Sequence, residues 1–262
     1  MDRTSLQSRL SGLPIPELRY SDVTGSTNDE ALKWIVDGAR DGALVAADQQ
    51  TSGRGRFNRR WVTHPGSALA FSLIVIPTPQ EQQYMTRFSP LGAVAVCQAL
   101  ETMLGLKPKI KWPNDVLLDR RKAVGILVEA TSQGDGFSGV VLGIGINVSA
   151  AAVPPDEEVM FPAISVEQAA GRSVDRWDLL RAILQGIFDW RTQLASDYFK
   201  QAWEDRLAFR GEWVMVREAA GAGDPITGEV IGLDAEGNLL LRTTRGELVP
   251  VQVGDVHLRP TG

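Results

Sequence analysis

Thiols and imidazoles are nearly missing from this 262-residue chain, which has one cysteine, Cys97, and two histidines, His64 and His257. A single thiol excludes an intramolecular disulfide. So few His and Cys side chains argue against a zinc site built from them. Cys97 lies inside the apolar run 91–100 and reads as a small buried hydrophobe. No stretch approaches the ~18 apolar residues of a membrane span. The start, Met1-Asp2-Arg3-Thr4-Ser5-Leu6, lacks the apolar core of a signal peptide, so a cytoplasmic location is expected. Positive charge is not in surplus either: 27 Lys and Arg against 32 Asp and Glu give a net charge of −5, with a pI of about 5.2. Binding of nucleic acid through bulk charge is therefore disfavoured, although a local basic patch stays open. No Ser/His/Asp set is recognisable.

What is present is ordinary globular composition, 44% hydrophobic and 23% charged, in a length that suits one large domain or two unequal ones. Against the acidic average, Gly53-Arg54-Gly55-Arg56-Phe57-Asn58-Arg59-Arg60-Trp61 packs four arginines into nine residues with no acid. Glycines for backbone freedom, guanidinium groups and a terminal indole suit an anion that carries an aromatic group, such as a nucleotide. A solvated surface turn is the plainer reading. The segment lacks the Lys-Ser/Thr of a Walker loop and follows no βαβ dinucleotide pattern.

In chain order, residues 1–17 read as an arm or short first helix, broken at Gly12-Leu13-Pro14-Ile15-Pro16. Thr27 with Glu30 fits a capping box for a helix through Ala31, Leu32, Trp34 and Ile35. Ser26, Thr27 and Asn28 then have two readings, a helix cap or ligand-facing groups at a helix N-terminus. Residues 43–47 predict a strand that feeds the basic loop, and 68–76 a buried strand stopped by Pro77 and Pro79. Residues 88–104, apolar almost all round, predict a buried helix. Strands at 109–112, 116–118, 122–130 and 139–148 have short links and should be antiparallel. Gly143 and Gly145 in the last of these imply close approach by a ligand or another backbone, or a bulge. A Pro- and acid-rich loop at 150–163 precedes a short helix at 165–170. From Asp175, Trp177, Leu180, Leu184, Ile187 and Trp190 follow helical spacing, and more helix is expected through 198–207, with the aromatics as core. From Gly211 the pattern changes to short strands joined by Gly/Asp turns, which suggests a small β-barrel. The expected domains are an arm at 1–17, a main domain at 18–210 and the barrel at 211–262.

The polar clusters supply many cationic donors, few acids and no good nucleophile. That suits positioning and charge neutralisation, as in adenylation, where a carboxylate attacks the α-phosphate of ATP while Mg²⁺ covers the phosphates. A nucleic-acid binder, with arginine tracking phosphates beside an aromatic, is the competing class.

Five motifs then occur in order: Gly25-Ser26-Thr27-Asn28; Gln50-Thr51-Ser52-Gly53-Arg54-Gly55-Arg56 through Trp61; Lys111-Trp112-Pro113-Asn114-Asp115; Lys122 with Gly125-Ile126-Leu127-Val128-Glu129; and Gly143-Ile144-Gly145-Ile146-Asn147. Gly254-Asp255-Val256-His257-Leu258-Arg259 resembles the end of the same family's barrel. In this the chain resembles the biotin–protein ligases. The resemblance implies an α+β fold, a mixed and antiparallel sheet with helices like a class II aminoacyl-tRNA synthetase, plus an SH3-like β-barrel. It implies a ligase that makes biotinyl-5′-AMP from biotin and ATP, with Mg²⁺, and transfers biotin to a lysine of a biotin carboxyl carrier protein. By motif position, Ser26, Thr27, Asn28, Gln50, Arg54, Gly55, Arg56 and Lys122 would bind biotin. Arg54, Arg56, Arg59, Trp61, Lys111 and Asn147 would bind ATP, with Trp61 placed to stack on adenine. Arg56, Lys111, Asp115 and Lys122 would carry catalysis, and Asp115 would serve either a metal or the acceptor lysine. Regulatory members carry an N-terminal DNA-binding domain, whereas about seventeen residues precede the expected catalytic region here. A ligase without DNA or membrane partners is therefore expected, and pairing into a homodimer is open. A lipoate–protein ligase shares the fold and reaction type, but the loop at 53–61 favours biotin.

Overall fold

The computed structural model describes residues 2–56, 59–61, 63–133, 136–155, 161–217, 225–252 and 257–260. Two sheets organise them. The larger has seven strands: β1 (Leu18–Thr24), β2 (Leu44–Gln50), β3 (Ala68–Val75), β4 (Lys109–Lys111), β5 (Asp115–Leu118), β6 (Arg121–Gln133) and β7 (Gly136–Asn147), in the order β1-β2-β3-β7-β6-β5-β4. β1 runs parallel to β2, with Leu18 opposite Leu44, and the other neighbours are antiparallel. The sheet is therefore mixed, and flanked by helices, as expected.

Side chains alternate across a pleated sheet, and here the alternation separates packing from function. In β7, Val140, Leu142, Ile144 and Ile146 join the main core. The helix α3 (Phe88–Leu104) lies on that face: a Cβ added at its Gly92 would touch Leu142 and Ile144 at 3.2 Å. Helix α3 has the bounds expected from its apolar run, and Gly105 stops it in the left-handed conformation (φ 66°). Helix α5 (Arg176–Arg191), capped by Asp175, packs on α3 where Gly186 meets Ala95. On the opposite face, α2 (Thr27–Val36) sets Ala31, Trp34 and Ile35 against Ala43, Val45, Ile74 and Val141. Beyond the end of α2, this second face is left for Gly143, Gly145 and Asn147.

Residues 3–9 form a helix, α1 (Arg3–Arg9), whose Leu6 is fully buried. Its Arg9 pairs with Asp175 and Asp178 at the start of α5. The short α4 (Val166–Ala170) has a capping box from Ser165 and Gln168, and α6 (Asp197–Glu204) follows α5. Trp177, Phe199 and Trp203 are core, whereas Tyr198 is exposed. The cap of α2 is Ser26, whose Oγ accepts from the Asp29 amide at 3.4 Å. The expected cap, Thr27, is the first helical residue instead, and Glu30 bonds the Thr24 hydroxyl. Strand β1 and the 3₁₀ segment Glu81–Arg87 have no counterpart in the sequence reading.

The smaller sheet is antiparallel: β8 (Trp213–Arg217), β9 (Ile226–Leu233), β10 (Leu239–Arg242), β11 (Leu248–Val251) and β12 (His257–Pro260), in the order β11-β10-β9-β8-β12. Residues 254–256 of the motif at 254–259 lie outside the described residues. The β9–β10 turn joins the two sheets. Asp234 Oδ1 accepts from the amides of Glu236 and Asn238, and the Gly237 carbonyl accepts from Trp112 Nε1 at 3.0 Å. Arg87, buried, reaches the carbonyls of Leu194 and Ala235.

Candidate active site

A cavity of about 550 Å³ opens on the second face of the large sheet, around the glycines of β6 and β7. Its floor follows from the pleat: Gly125 and Leu127 on β6 and Gly143, Gly145 and Asn147 on β7. The two β7 glycines receive neither backbone nor a bulge, since the β6–β7 register shifts at Thr131/Ser132. They receive side chains. A Cβ at Gly143 would fall on the Asn28 amide, and one at Gly145 would lie 2.5 Å from Cε2 of Trp61.

All thirteen residues singled out in the sequence line this one cavity: Ser26, Thr27, Asn28, Gln50, Arg54, Gly55, Arg56, Arg59, Trp61, Lys111, Asp115, Lys122 and Asn147. The two readings of Ser26-Thr27-Asn28 divide by residue. Ser26 caps the helix, while Thr27 and Asn28 turn their polar groups to the sheet. Gln50 Oε1 accepts from the Thr27 amide (2.8 Å) and lies 3.1 Å from its hydroxyl. Asn28 donates to Glu129 Oε2 (2.8 Å) and accepts from Ser72 Oγ (2.6 Å).

The basic loop forms a small hairpin over one side. The Trp61 amide donates to Gly53 O and the Gly55 amide to Arg59 O, and Arg54 bridges Arg60. Trp61 thereby lies across Gly145 and Gly125, with the Lys122 amine 5.8 Å from its ring. Its indole N–H is buried and has no hydrogen-bond partner among the described residues. Arg56 donates to Asn114 Oδ1 at 3.3 Å, and the Arg54 guanidinium pairs with Glu129 and Asp29.

On the far side, Lys111 and Asp115 flank the turn between β4 and β5, and Lys122 is the second residue of β6. Asp115, buried, lies 2.7 Å from Lys122 Nζ and 3.8 Å from Lys111 Nζ. Burial works against its charge, but Lys122 and Lys111 outweigh it and hold the carboxyl below its ordinary value. Residues 161–164 strap this corner down. Lys122 N donates to Pro162 O, Ile164 N donates to Lys122 O, Asn147 donates to Ile164 O, and Phe161 sits 4.6 Å from Lys111 Nζ.

The lining therefore carries six cationic side chains, Arg54, Arg56, Arg59, Arg60, Lys111 and Lys122, against one carboxylate, Asp115, while Glu129 and Asp29 outside the lining pair with Arg54. Such a field suits a polyanion brought against a carboxylate. No group of three or more His, Cys, Asp and Glu is placed to hold a metal among the described residues. A lone carboxylate engaged by two lysines does not make a cation cage of its own.

Sequence reasoning missed Ser72, Asn114, Phe161 and above all Glu129 as members of the site. For Glu129 a signal existed: in Gly125-Ile126-Leu127-Val128-Glu129, pleat alternation puts Glu129 on the face of Gly125.

The chain matches known proteins over most of its length. Residues 20–147 match the Biotin/lipoate A/B protein ligase family, and residues 216–259 match the Biotin protein ligase C terminal domain. The bifunctional ligase/repressor BirA of Bacillus subtilis is 37% identical over 245 residues, 92% of this chain and 74% of that protein. The biotin–[acetyl-CoA-carboxylase] ligase of Paracoccus denitrificans is 35% identical over 236 residues, 86% of this chain and 94% of that one. Among solved structures, the biotin protein ligase of Aquifex aeolicus in complex with biotin and ATP superposes with a TM-score of 0.81 at 28% identity, covering 94% of this chain and all of that one.

Proposed function

We propose how the cavity works from one premise: this chain belongs to the biotin–protein ligase family. It is an ATP-dependent ligase that activates biotin and transfers it to a protein. In the first step the biotin carboxylate attacks the α-phosphate of ATP, giving biotinyl-5′-AMP and pyrophosphate. In the second, a lysine amine attacks the acyl carbon, AMP leaves with the bond electrons, and the lysine's proton is lost.

The observation that carries the division of labour is the glycine floor between a polar corner and a cationic one. The polar corner, Thr27, Asn28 and Gln50 with Ser26 behind them, suits the neutral hydrogen-bonding head group of biotin. Gly125, Gly143 and Gly145 let Asn28 and Trp61 lie close against the sheet, which leaves room above them for a slim ligand. Lys122 is placed for the biotin carboxylate, and Arg56, Arg59 and Lys111 for the phosphates as charge moves onto pyrophosphate. Trp61, with its unpaired N–H and flat face, is assigned to the adenine, and Asn147 to the nucleotide side. Gly55 lets the loop backbone close against the intermediate. Mg²⁺ is assigned to the ATP phosphates and not to a protein cage.

The acceptor lysine must lose its proton. At pH 7 the neutral form of a lysine of pKa ~10.4 costs about 4.6 kcal/mol to select. Asp115 is ionised and faces this corner, but a carboxyl held low is a weak base. Its charge better serves to draw in the ammonium and to place Lys122 and Lys111. The acceptor is assigned as a biotin carboxyl carrier protein. Incubation with such a carrier domain, biotin, ATP and Mg²⁺ tests the reading. Biotin should appear on one carrier lysine only when every component is present, and a carrier left unlabelled in the complete mixture overturns it.

A further inference from the structure

Arg54 belongs to the basic loop, yet its guanidinium is committed to carboxylates of two other elements. Both oxygens of Glu129 on β6 accept from it at 2.9 Å, and Asp29 on α2 accepts at 2.5 Å. Glu129 Oε2 also takes the Asn28 amide at 2.8 Å. Glu129 thus receives three N–H donors, which a carboxylate does and an amide does not. From Asn28 the contacts continue along the cavity wall. Ser72 donates to its Oδ1 and lies 2.8 Å from the Thr27 hydroxyl, and Thr27 bonds Gln50. One polar chain therefore runs from the loop to the corner assigned to the biotin head group. At its other end Arg54 is bridged to Arg60, and Trp61 to Gly53, so fixing Arg54 fixes both arms of the hairpin.

We infer that Glu129, seconded by Asp29, is a positioning residue: it holds Arg54 as the anchor of the basic loop and ties that loop, through Asn28, to the floor on which biotin sits. Arg54 is then not a phosphate ligand, and adenylate retention depends on a carboxylate outside the reacting groups. This rests on the biotin-ligase reading above.

The test is the passive release of preformed biotinyl-5′-AMP from the full chain, with KM for ATP and for biotin measured alongside. Glu129→Gln keeps the shape and replaces an acceptor with a donor. It and Arg54→Met should each speed release by about 10- to 100-fold, the range expected for charge-assisted hydrogen bonds. The double variant should release no faster than the faster single, because both remove one unit. Asp29→Asn, at the rim, should release about 2- to 5-fold faster and carries the test should Glu129→Gln not fold. Three results overturn the inference: release at the wild-type rate in Glu129→Gln or, where that variant does not fold, in Asp29→Asn; single effects that multiply in the double variant; or a rise in KM for ATP confined to Arg54→Met, which returns Arg54 to the phosphates. A wild type that forms no adenylate overturns the ligase reading itself.

Discussion

Asp115 Oδ1 lies 2.7 Å from Lys122 Nζ while its Oδ2 lies 3.8 Å from Lys111 Nζ, so one buried carboxylate sits between the two lysines of the cavity. Both lysines are assigned to the activation step. Sequence reasoning, blind to the pairing, ties Asp115 to transfer or to a metal. With the pairing known, Asp115→Asn should slow adenylate formation by at least about 10-fold, since it frees both amines from their common partner. Single-turnover measurement of the two half-reactions decides. Normal adenylate formation with slow transfer alone would make Asp115 a base for the acceptor lysine.

The same pairing has a pH signature. A carboxyl held below its unfolded value contributes stability that is complete above that value, about 3.9, and is lost as pH falls through the lower folded value. Melting temperatures of wild type and Asp115→Asn should therefore differ by a constant amount above about pH 4 and converge in stronger acid. A gap that widens on acidification contradicts this.

The floor glycines should separate the two substrates. An added methyl at Gly145 meets the Trp61 indole at 2.5 Å, whereas one at Gly143 meets Asn28. Overpacking of this kind costs about 1–3 kcal/mol. Gly145→Ala should raise KM for ATP about 10-fold with biotin less affected, and Gly143→Ala should do the reverse. Equal effects on both substrates would dissolve the assignment of two corners.

The loop bears on fidelity. Arg56 reaches across to Asn114 on the β4–β5 turn at 3.3 Å. Arg56→Gly removes that tie and a cation facing the mixed anhydride, so it should leak biotinyl-5′-AMP and label bystander lysines at least about 10-fold above wild type. Mass spectrometry of a bystander protein in the reaction reads this out, and unchanged bystander labelling would sink it.

Much of this arrangement is legible before any coordinates. The helix at 88–104 is fixed by a nearly all-apolar run and a glycine stop, and the thirteen chemistry-bearing residues converge because five motifs each end at the same sheet face. What escapes is what depends on juxtaposition. Glu129 meets Arg54 and Asn28 from 75 and 101 residues away, and local pattern carries no trace of such pairs. Strand β1 escapes because it is an edge strand whose Arg19, Ser21 and Asp22 conceal the apolar alternation. The glycines of β7 announce a close approach, but not that the approaching groups are Asn28 and Trp61.

Residues 3–9 also exceed what their sequence promises. Leu6 is fully buried in the main core. Leu6→Ala should cost about 2–5 kcal/mol of stability, measured by chemical unfolding. A loss under about 1 kcal/mol would mean that α1 rests on the surface.

The most direct test of the central claim is pyrophosphate release by the purified chain with ATP and Mg²⁺, run with biotin, with lipoate and with neither. Release that requires biotin, is not supported by lipoate and stops after about one equivalent per chain without an acceptor is the predicted result. Release with lipoate in place of biotin, or none with biotin, would contradict it.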